Sequence, residues 1–339
     1  MFIHLILLIF SFAIVLAGSE LFTNGVEWAG YHLSLSEAAV GSLLAAVGTA
    51  LPETVIPAIA LFMSGGRPGA HSEVGVGAIV GAPLMLSTLA LFVMGMAALG
   101  FRSRRGRTLM LVSRLDARRD LGFFIPAFVA VLVLGVALPS AMMRAAAAAV
   151  LLAVYVSYAI VILKQKRAAD VEIEHGLYAE LIVHGNPHAP RPWATALQVV
   201  AGTATILLGA YVFVDQIVLL AQHARLKPGV LSLIISPLAT ELPEKYNAVV
   251  WIRQGKDNLA LANITGAMVF QSCIPVVLGL LFTQWSLSAP ELMGGAIAAI
   301  SAALLYLNLR DGKLGTPTLV IGGAAYAAFI AGLGWLGAF

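Results

Sequence analysis

The sequence predicts an all-α integral membrane protein: ten transmembrane helices arranged as two inverted five-helix repeats. Three observations lead there. Of 339 residues, 60% are hydrophobic and only 11% are charged, whereas a soluble globular domain carries about 25% charged residues. The apolar residues gather into ten stretches, 3–28, 36–63, 74–99, 122–138, 141–163, 195–221, 229–252, 257–283, 290–308 and 316–337. Most of them reach the ~20 residues a helix needs to cross hydrocarbon. Finally, a hexapeptide recurs, Gly48-Thr49-Ala50-Leu51-Pro52-Glu53 in the second stretch and Ala239-Thr240-Glu241-Leu242-Pro243-Glu244 in the seventh.

The hexapeptides are related by an offset of 191 (239 minus 48), which also pairs Gly18 with Gly209 and Asn24 with Asp215. Gly81 pairs with Gly266 at an offset of 185 (266 minus 81), because the loop before the third span is six residues longer than its counterpart. Each half holds an odd number of spans, so the halves insert in opposite orientations, which is the sign of an inverted repeat with its ion site at the repeat interface. The chain divides into a first repeat, 1–163, a linker, 164–194, and a second repeat, 195–339.

The basic residues orient the spans. Arg102, Arg104, Arg105, Arg107, Arg114, Arg118 and Arg119 follow the third span, and Lys164, Lys166, Arg167 and Arg191 follow the fifth. Arg253, Lys256, Arg310 and Lys313 fall on the same side of ten spans, against Arg67, Arg144, Arg225 and Lys227 on the other. The positive-inside rule places the arginine-rich side in the cytoplasm. A multi-pass protein of the cell membrane with both termini outside is expected. The net charge is +3 with the basic residues beside spans, so membrane lipid and small inorganic cations are the expected partners, and nucleic acid is not. The single cysteine, Cys273, allows no disulfide within the chain. The first span lacks a basic leader and carries Glu20 and Glu27, so it reads as a retained helix rather than a signal peptide.

Taken in order, span 1 ends in a polar run, Gly18 to Glu27. Either one face lines a water-accessible path, or Glu20 and Glu27 reach the interface near a helix end. In span 2, Pro52 lacks an amide hydrogen and clashes with the carbonyl four residues back, which predicts a kink or an unwound turn beside Glu53. Carbonyls freed in a membrane need protein, water or an ion as partner. A buried carboxylate there costs about 2.5 kcal/mol or more, so Glu53 and Glu244 read as cation ligands facing each other. Gly75, Gly77 and Gly81 of span 3 allow close helix packing, expected against span 2. The segment 101–121 reads as a solvated, topology-setting loop, and spans 4 and 5 carry no chemistry. In the linker, Glu180, His184 and His188 have helical spacing, but Pro187 interrupts it, so a solvated linker is expected rather than a metal site. Span 7 adds Glu241 and Lys245, four apart, a spacing open to a helical ion pair unless Pro243 between them spoils the geometry. Asp215 is an acid within span 6. In span 8, Asn263 and Gln271 are two turns apart on one face.

At Gly48–Glu53 and Ala239–Glu244 the chain resembles the cation/calcium exchanger superfamily. Its repeats carry a Gly-Thr-Ser-Leu-Pro-Glu element and then a Gly-Asn-x-x-Gly-Ser-Asn element. The second element appears here in altered form, as Gly77-Ala78-Ile79-Val80-Gly81-Ala82-Pro83 and Ala262-Asn263-Ile264-Thr265-Gly266-Ala267-Met268. The resemblance spans nearly the whole chain. It implies alternating-access antiport of calcium, or a similar divalent cation, against sodium or protons, with Glu53 and Glu244 as metal ligands. Thr49, Thr240 and Asn263 would supply oxygens, Glu241 would assist or carry protons, and Gln271, Asp215 and Glu20 would line the pathway or support the site. No catalytic residue or cofactor is implied. The family's oxygen-bearing side chains are replaced at Ala50, Ala78 and Leu86. Calcium seeks 6–8 oxygens, and sodium coordination also relies on neutral oxygens. A proton needs only a carboxylate, and burial disfavours the charged form of one. Sodium and proton coupling both stand at this stage. So does a second class of function, a membrane scaffold or ion sensor that has lost transport. An intramembrane metalloenzyme is disfavoured by the lack of paired histidines in the spans.

Overall fold

The computed structural model describes residues 2–32, 51–137, 140–166, 191–309 and 311–338. Thr49, with Gly48 and Ala50, and the linker residues Glu180, His184 and His188 lie outside the described residues. The elements run α1 (Phe2–His32), α2 (Leu51–Ser64), α3 (Ala70–Met85), a π-helical turn (Leu86–Ala90), α4 (Leu91–Gly100), the short α5 (Arg102–Arg105) and β1 (Met110–Leu111). There follow α6 (Arg114–Ala137), α7 (Ala141–Lys166), α8 (Pro192–Ala224), α9 (Pro228–Thr240), α10 (Leu242–Arg253), α11 (Asp257–Phe282), α12 (Ala289–Asn308), β2 (Lys313–Leu314) and α13 (Thr316–Trp335). Among the described residues eight helices are long and apolar enough to cross a membrane, and Leu51–Ser64 and Pro228–Thr240 are shorter apolar helices. This is an all-α, multi-pass membrane fold.

The seventh apolar stretch is broken in two. Pro243 has no amide to bond Ala239 four residues back. The helix stops at Thr240 and restarts at Leu242, with Glu241 between at φ −89° and ψ 9°. The Glu241 amide still donates to the Pro237 carbonyl and the Lys245 amide to the Glu241 carbonyl, both at 3.1 Å. In the first half, Leu51 and Pro52 stand in the first described turn of α2, directly before Glu53.

Helices α1 and α8 pair closely along their length. A Cβ on Gly18 would lie 2.8 Å from the Ile206 amide nitrogen, and one on Gly209 would lie 2.8 Å from a Val15 methyl. The offset of 191 maps Gly18 on Gly209 and Val15 on Ile206 (206 minus 15), so the two contacts are reciprocal. Leu8, Val15, Ile206, Phe213 and Ile217 of this pair join Ile56 and Ala60 of α2 in one buried apolar cluster. A larger, separate cluster unites α3, α4, α6, α7 and α9–α13. The pair α1/α8 thus meets the rest of the molecule across its own apolar surface.

The glycines of α3 divide their work. Gly75 faces Leu61 of α2, as expected, but Gly77 and Gly81 lie against the Gly229 and Leu233 carbonyl oxygens of α9, where a Cβ would overlap them. The expected packing on span 2 is therefore only part of the answer, since the smallest side chains serve the contact with the broken helix. Trp285, in the α11–α12 connection, is fully buried with φ +49° and donates its indole N–H to the Val131 carbonyl at 3.0 Å.

The segment after α4 is solvated only in part: Arg102, Arg104 and Arg114 are exposed, but its middle is anchored. The Arg105 guanidinium, with 1% of its side chain exposed, binds both Asp257 oxygens at 2.6 and 2.7 Å. Arg107 and the Leu111 amide donate to the same carboxylate at 3.1 and 2.9 Å. Strand β1 pairs antiparallel with β2, Met110 opposite Leu314. Asp257 stands in the first turn of α11, where the helix dipole favours an anion, so local charge and dipole draw the arginines inward. Helix α6 consequently starts at Arg114, earlier than the apolar pattern alone suggests.

Candidate functional site

Glu53 is the third described residue of α2 and Glu244 the third of α10, each following a Leu-Pro pair. The first turn of a helix offers unpaired amides and a positive dipole end, so α10 presents the Glu244 carboxylate where a backbone field stabilises it. Glu53 and Glu244 are each 6% exposed and Glu241 is fully buried. Lys245, also buried, places Nζ 3.1 Å from Glu241 Oε2. Pro243 does not spoil the pair: the Lys245 amide donates to the Glu241 carbonyl at 3.1 Å, which keeps residues 241 and 245 one turn apart on one face. Glu244, Glu241 and Lys245 all lie within electrostatic reach of Glu53.

Most of the acid oxygens are left over. Both oxygens of Glu53, Oε1 of Glu241 and Oε2 of Glu244 are buried with no hydrogen-bond partner among the described residues. Buried polar atoms in folded proteins are nearly always paired, so this concentration of exceptions marks a place for a cation or a proton. The three carboxylates and one ammonium sum to a formal −2 (−3 + 1). Yet among the described residues no group of three His, Cys, Asp or Glu is drawn together closely enough to hold a metal ion. The acids share a field without forming a closed coordination shell, and backbone, hydroxyl or water oxygens would have to complete one.

A narrow cavity beside Glu53 shows which hydroxyls are at hand. Thr240 and Ser236 of α9 line it together with Glu53 of α2, and Ala78 and Ala82 of α3 add apolar surface. Glu53 and Thr240, expected together from opposite repeats, are thus brought together. Ser236 was not singled out by sequence reasoning. It stands four residues before Thr240, on the same helical face, and that spacing is the signal that was available. Its hydroxyl contacts Ser232 Oγ at 2.9 Å, and Ser232 in turn donates to the Val74 carbonyl at 2.7 Å.

Of the remaining expected residues, Asn263, Gln271, Asp215 and Glu20, none lines this cavity. Asn263 is half-buried on α11 with Nδ2 unpartnered among the described residues, and Gln271 is buried with Oε1 unpartnered. Asp215 is half-buried on α8 and accepts from Gln216 Nε2 at 3.2 Å, and Gln216 Oε1 meets His4 Nδ1 of α1 at 2.8 Å. Glu20 is exposed on α1. Asp120, passed over within the basic segment, is 2% exposed and accepts from Thr265 at 2.7 Å, Tyr158 at 3.2 Å and Arg119 at 3.0 Å. It ties α6, α7 and α11 together.

Three buried acids, two of them each following a Leu-Pro pair, in an all-α membrane fold are the equipment of a cation transporter. The chain belongs to the sodium/calcium exchanger protein family, which matches it over residues 3–164 and 194–336. It is accordingly a secondary active cation antiporter that works by alternating access. The protein CaxA of Alkalimonas amylolytica is 26% identical to it over 97% of both chains. The uncharacterized membrane protein MJ0091 of Methanocaldococcus jannaschii is 22% identical over 93% of both. In fold, the chain is similar to the H+/Ca2+ exchanger CAX, with TM-score 0.73 and 19% identity over 97% of this chain and 81% of that one. It is also similar to the sodium-calcium exchanger NCX_Mj, with TM-score 0.57 and 20% identity over 97% and 98%.

Proposed function

We propose that the chain exchanges calcium, or a divalent cation of similar size, against protons, with Glu53 and Glu244 as the ligands of the transported ion. The observation that carries this reading is the set of buried carboxylate oxygens without partners among the described residues at the two repeated Leu-Pro-Glu sites. Thr240, with Thr49 and Asn263, supplies neutral oxygens to the cation. Glu241 contributes charge. The alanines at 50 and 78 and Leu86 leave one repeat poor in neutral oxygen ligands, which weakens the case for sodium and leaves that for protons intact. The likeness in fold to a structure named as an H+/Ca2+ exchanger agrees with this choice.

In this reading ten spans form two inverted five-helix repeats, 1–163 and 195–339, joined by the linker 164–194. The protein sits in the cell membrane with its arginine-rich side in the cytoplasm and both termini outside. Access alternates as the pair α1/α8 moves over the core across the apolar surface around Ile56, Phe213 and Ile217. Asp215 and Glu20 ride on that pair and line the path when it shifts, and Gln271 supports the site from α11.

Calcium uptake into proteoliposomes, with pH and sodium gradients imposed separately, tests the proposal. A pH gradient should drive uptake, a sodium gradient should not, and Glu53→Gln and Glu244→Gln should each abolish it. Unchanged flux in both variants would remove the site assignment, and uptake driven by sodium alone would replace protons with sodium.

A further inference from the structure

We propose that Lys245 is a built-in monovalent cation: its ammonium fills the position beside Glu241 that a free alkali cation would otherwise take, and so keeps the exchange independent of sodium. This rests on the reading that Glu53 and Glu244 hold the transported ion. The ammonium lies 3.1 Å from Glu241 Oε2, with 7% of the lysine side chain and none of the glutamate side chain exposed. An ammonium is a compact point charge with three donors, comparable in charge to an alkali cation and equally suited to oxygen ligands. Residues 241 and 245 are one helical turn apart, and the Lys245 amide donates to the Glu241 carbonyl at 3.1 Å, so the break at Glu241 leaves the pair intact.

A purely structural role does not account for the pair. A buried ion pair is on average no more stabilising than apolar residues of the same volume. This one stands within the field of two further buried carboxylates, where a third negative charge is costly. Removing the lysine charge would take the formal balance of the cluster from −2 to −3. A divalent ion would then leave one negative charge beside Glu241, to be neutralised by a proton or by a monovalent cation, and the response to alkali cations tells the two apart. With Lys245 in place, one divalent ion balances the cluster. Glu241 Oε1, still without a partner among the described residues, shows that the lysine satisfies one oxygen of the carboxylate and leaves the other for a ligand.

The test uses full-length protein in detergent, with wild type, Lys245→Met and the double variant Glu241→Gln/Lys245→Met. Thermal unfolding is followed in sodium, lithium or potassium chloride against choline chloride at equal ionic strength. The melting temperature of Lys245→Met should rise with the logarithm of alkali cation concentration, as binding linkage requires, whereas wild type and the double variant should not respond. A single variant that folds only when sodium, lithium or potassium is present would support the inference equally. A single variant that none of these cations stabilises, folded or not, overturns it, and so does a wild type that responds as strongly as the variant. In proteoliposomes, calcium uptake by Lys245→Met should become dependent on the alkali cation by about tenfold or more, the ratio that ~1.4 kcal/mol of binding produces. The melting experiment needs no transport, so an absence of calcium flux in wild type would sink the exchange reading and leave the role of Lys245 decided on its own.

Discussion

Replacing Glu53 by methionine should make the cation-free protein more stable and abolish its response to calcium. Both Glu53 oxygens are buried without partners among the described residues. A buried polar group left unpaired costs about 1–3 kcal/mol, so the two oxygens together cost about 2–6 kcal/mol in the absence of an ion. Methionine keeps the length of the side chain and its packing beside Ile56 and Pro57, and a swap of similar volume costs under about 1.5 kcal/mol. The expected net gain is about 0.5–6 kcal/mol. Thermal unfolding in detergent with a chelator should therefore place Glu53→Met several degrees above wild type. Calcium at a hundred times its dissociation constant should stabilise wild type by about 2.7 kcal/mol and leave the variant where it was, so that the order of the two narrows or reverses. A variant less stable than wild type in chelator, or one that keeps the full calcium shift, would refute the reasoning that the leftover oxygens await the ion.

Other consequences are as direct. Asp257→Asn leaves Arg105 buried without its carboxylate and should cost about 3–5 kcal/mol, read as a lowered melting temperature in any salt. Gly77→Ala drives a methyl into the Gly229 carbonyl oxygen of α9 and should cost about 1–3 kcal/mol, whereas Gly122→Ala on α6, with nothing within 4 Å, should be neutral or stabilise by up to about 1 kcal/mol. Trp285→Ala empties a fully buried site and should cost about 3–5 kcal/mol. Each is checked by thermal unfolding of purified protein beside wild type.

Much of the fold was legible because hydrocarbon imposes strict rules. Long apolar runs marked the helices, and the proline of Ala239–Glu244 marked a break that the structure places at Glu241. Burial of Glu53 and Glu244 followed from charge inside apolar stretches. The basic segment was misjudged in part for the same reason: charge outside an apolar run reads as solvated, and nothing local says that Arg105 will meet Asp257, 152 residues away. Asp120 was hidden by its arginine neighbours. Ser236 could have been found from its spacing, since Ser232, Ser236 and Thr240 recur every four residues on one face, but hydroxyls are common in apolar helices and the acids drew the reading instead.

By itself the sequence determined the membrane class, the doubled hexapeptide and the two glutamates that follow a proline. Those features are local: hydrophobicity, a missing amide and a charge act wherever the chain goes. Only the tertiary structure decided that Glu53 lines a cavity with Thr240, that Gly77 and Gly81 serve α9 as well as Gly75 serves α2, and that Lys245 meets Glu241. The first two are contacts between distant segments, set by which helix faces fit together. The third is local, four residues long, and its spacing was already legible; the structure decided only that Pro243 between the two leaves the pair intact.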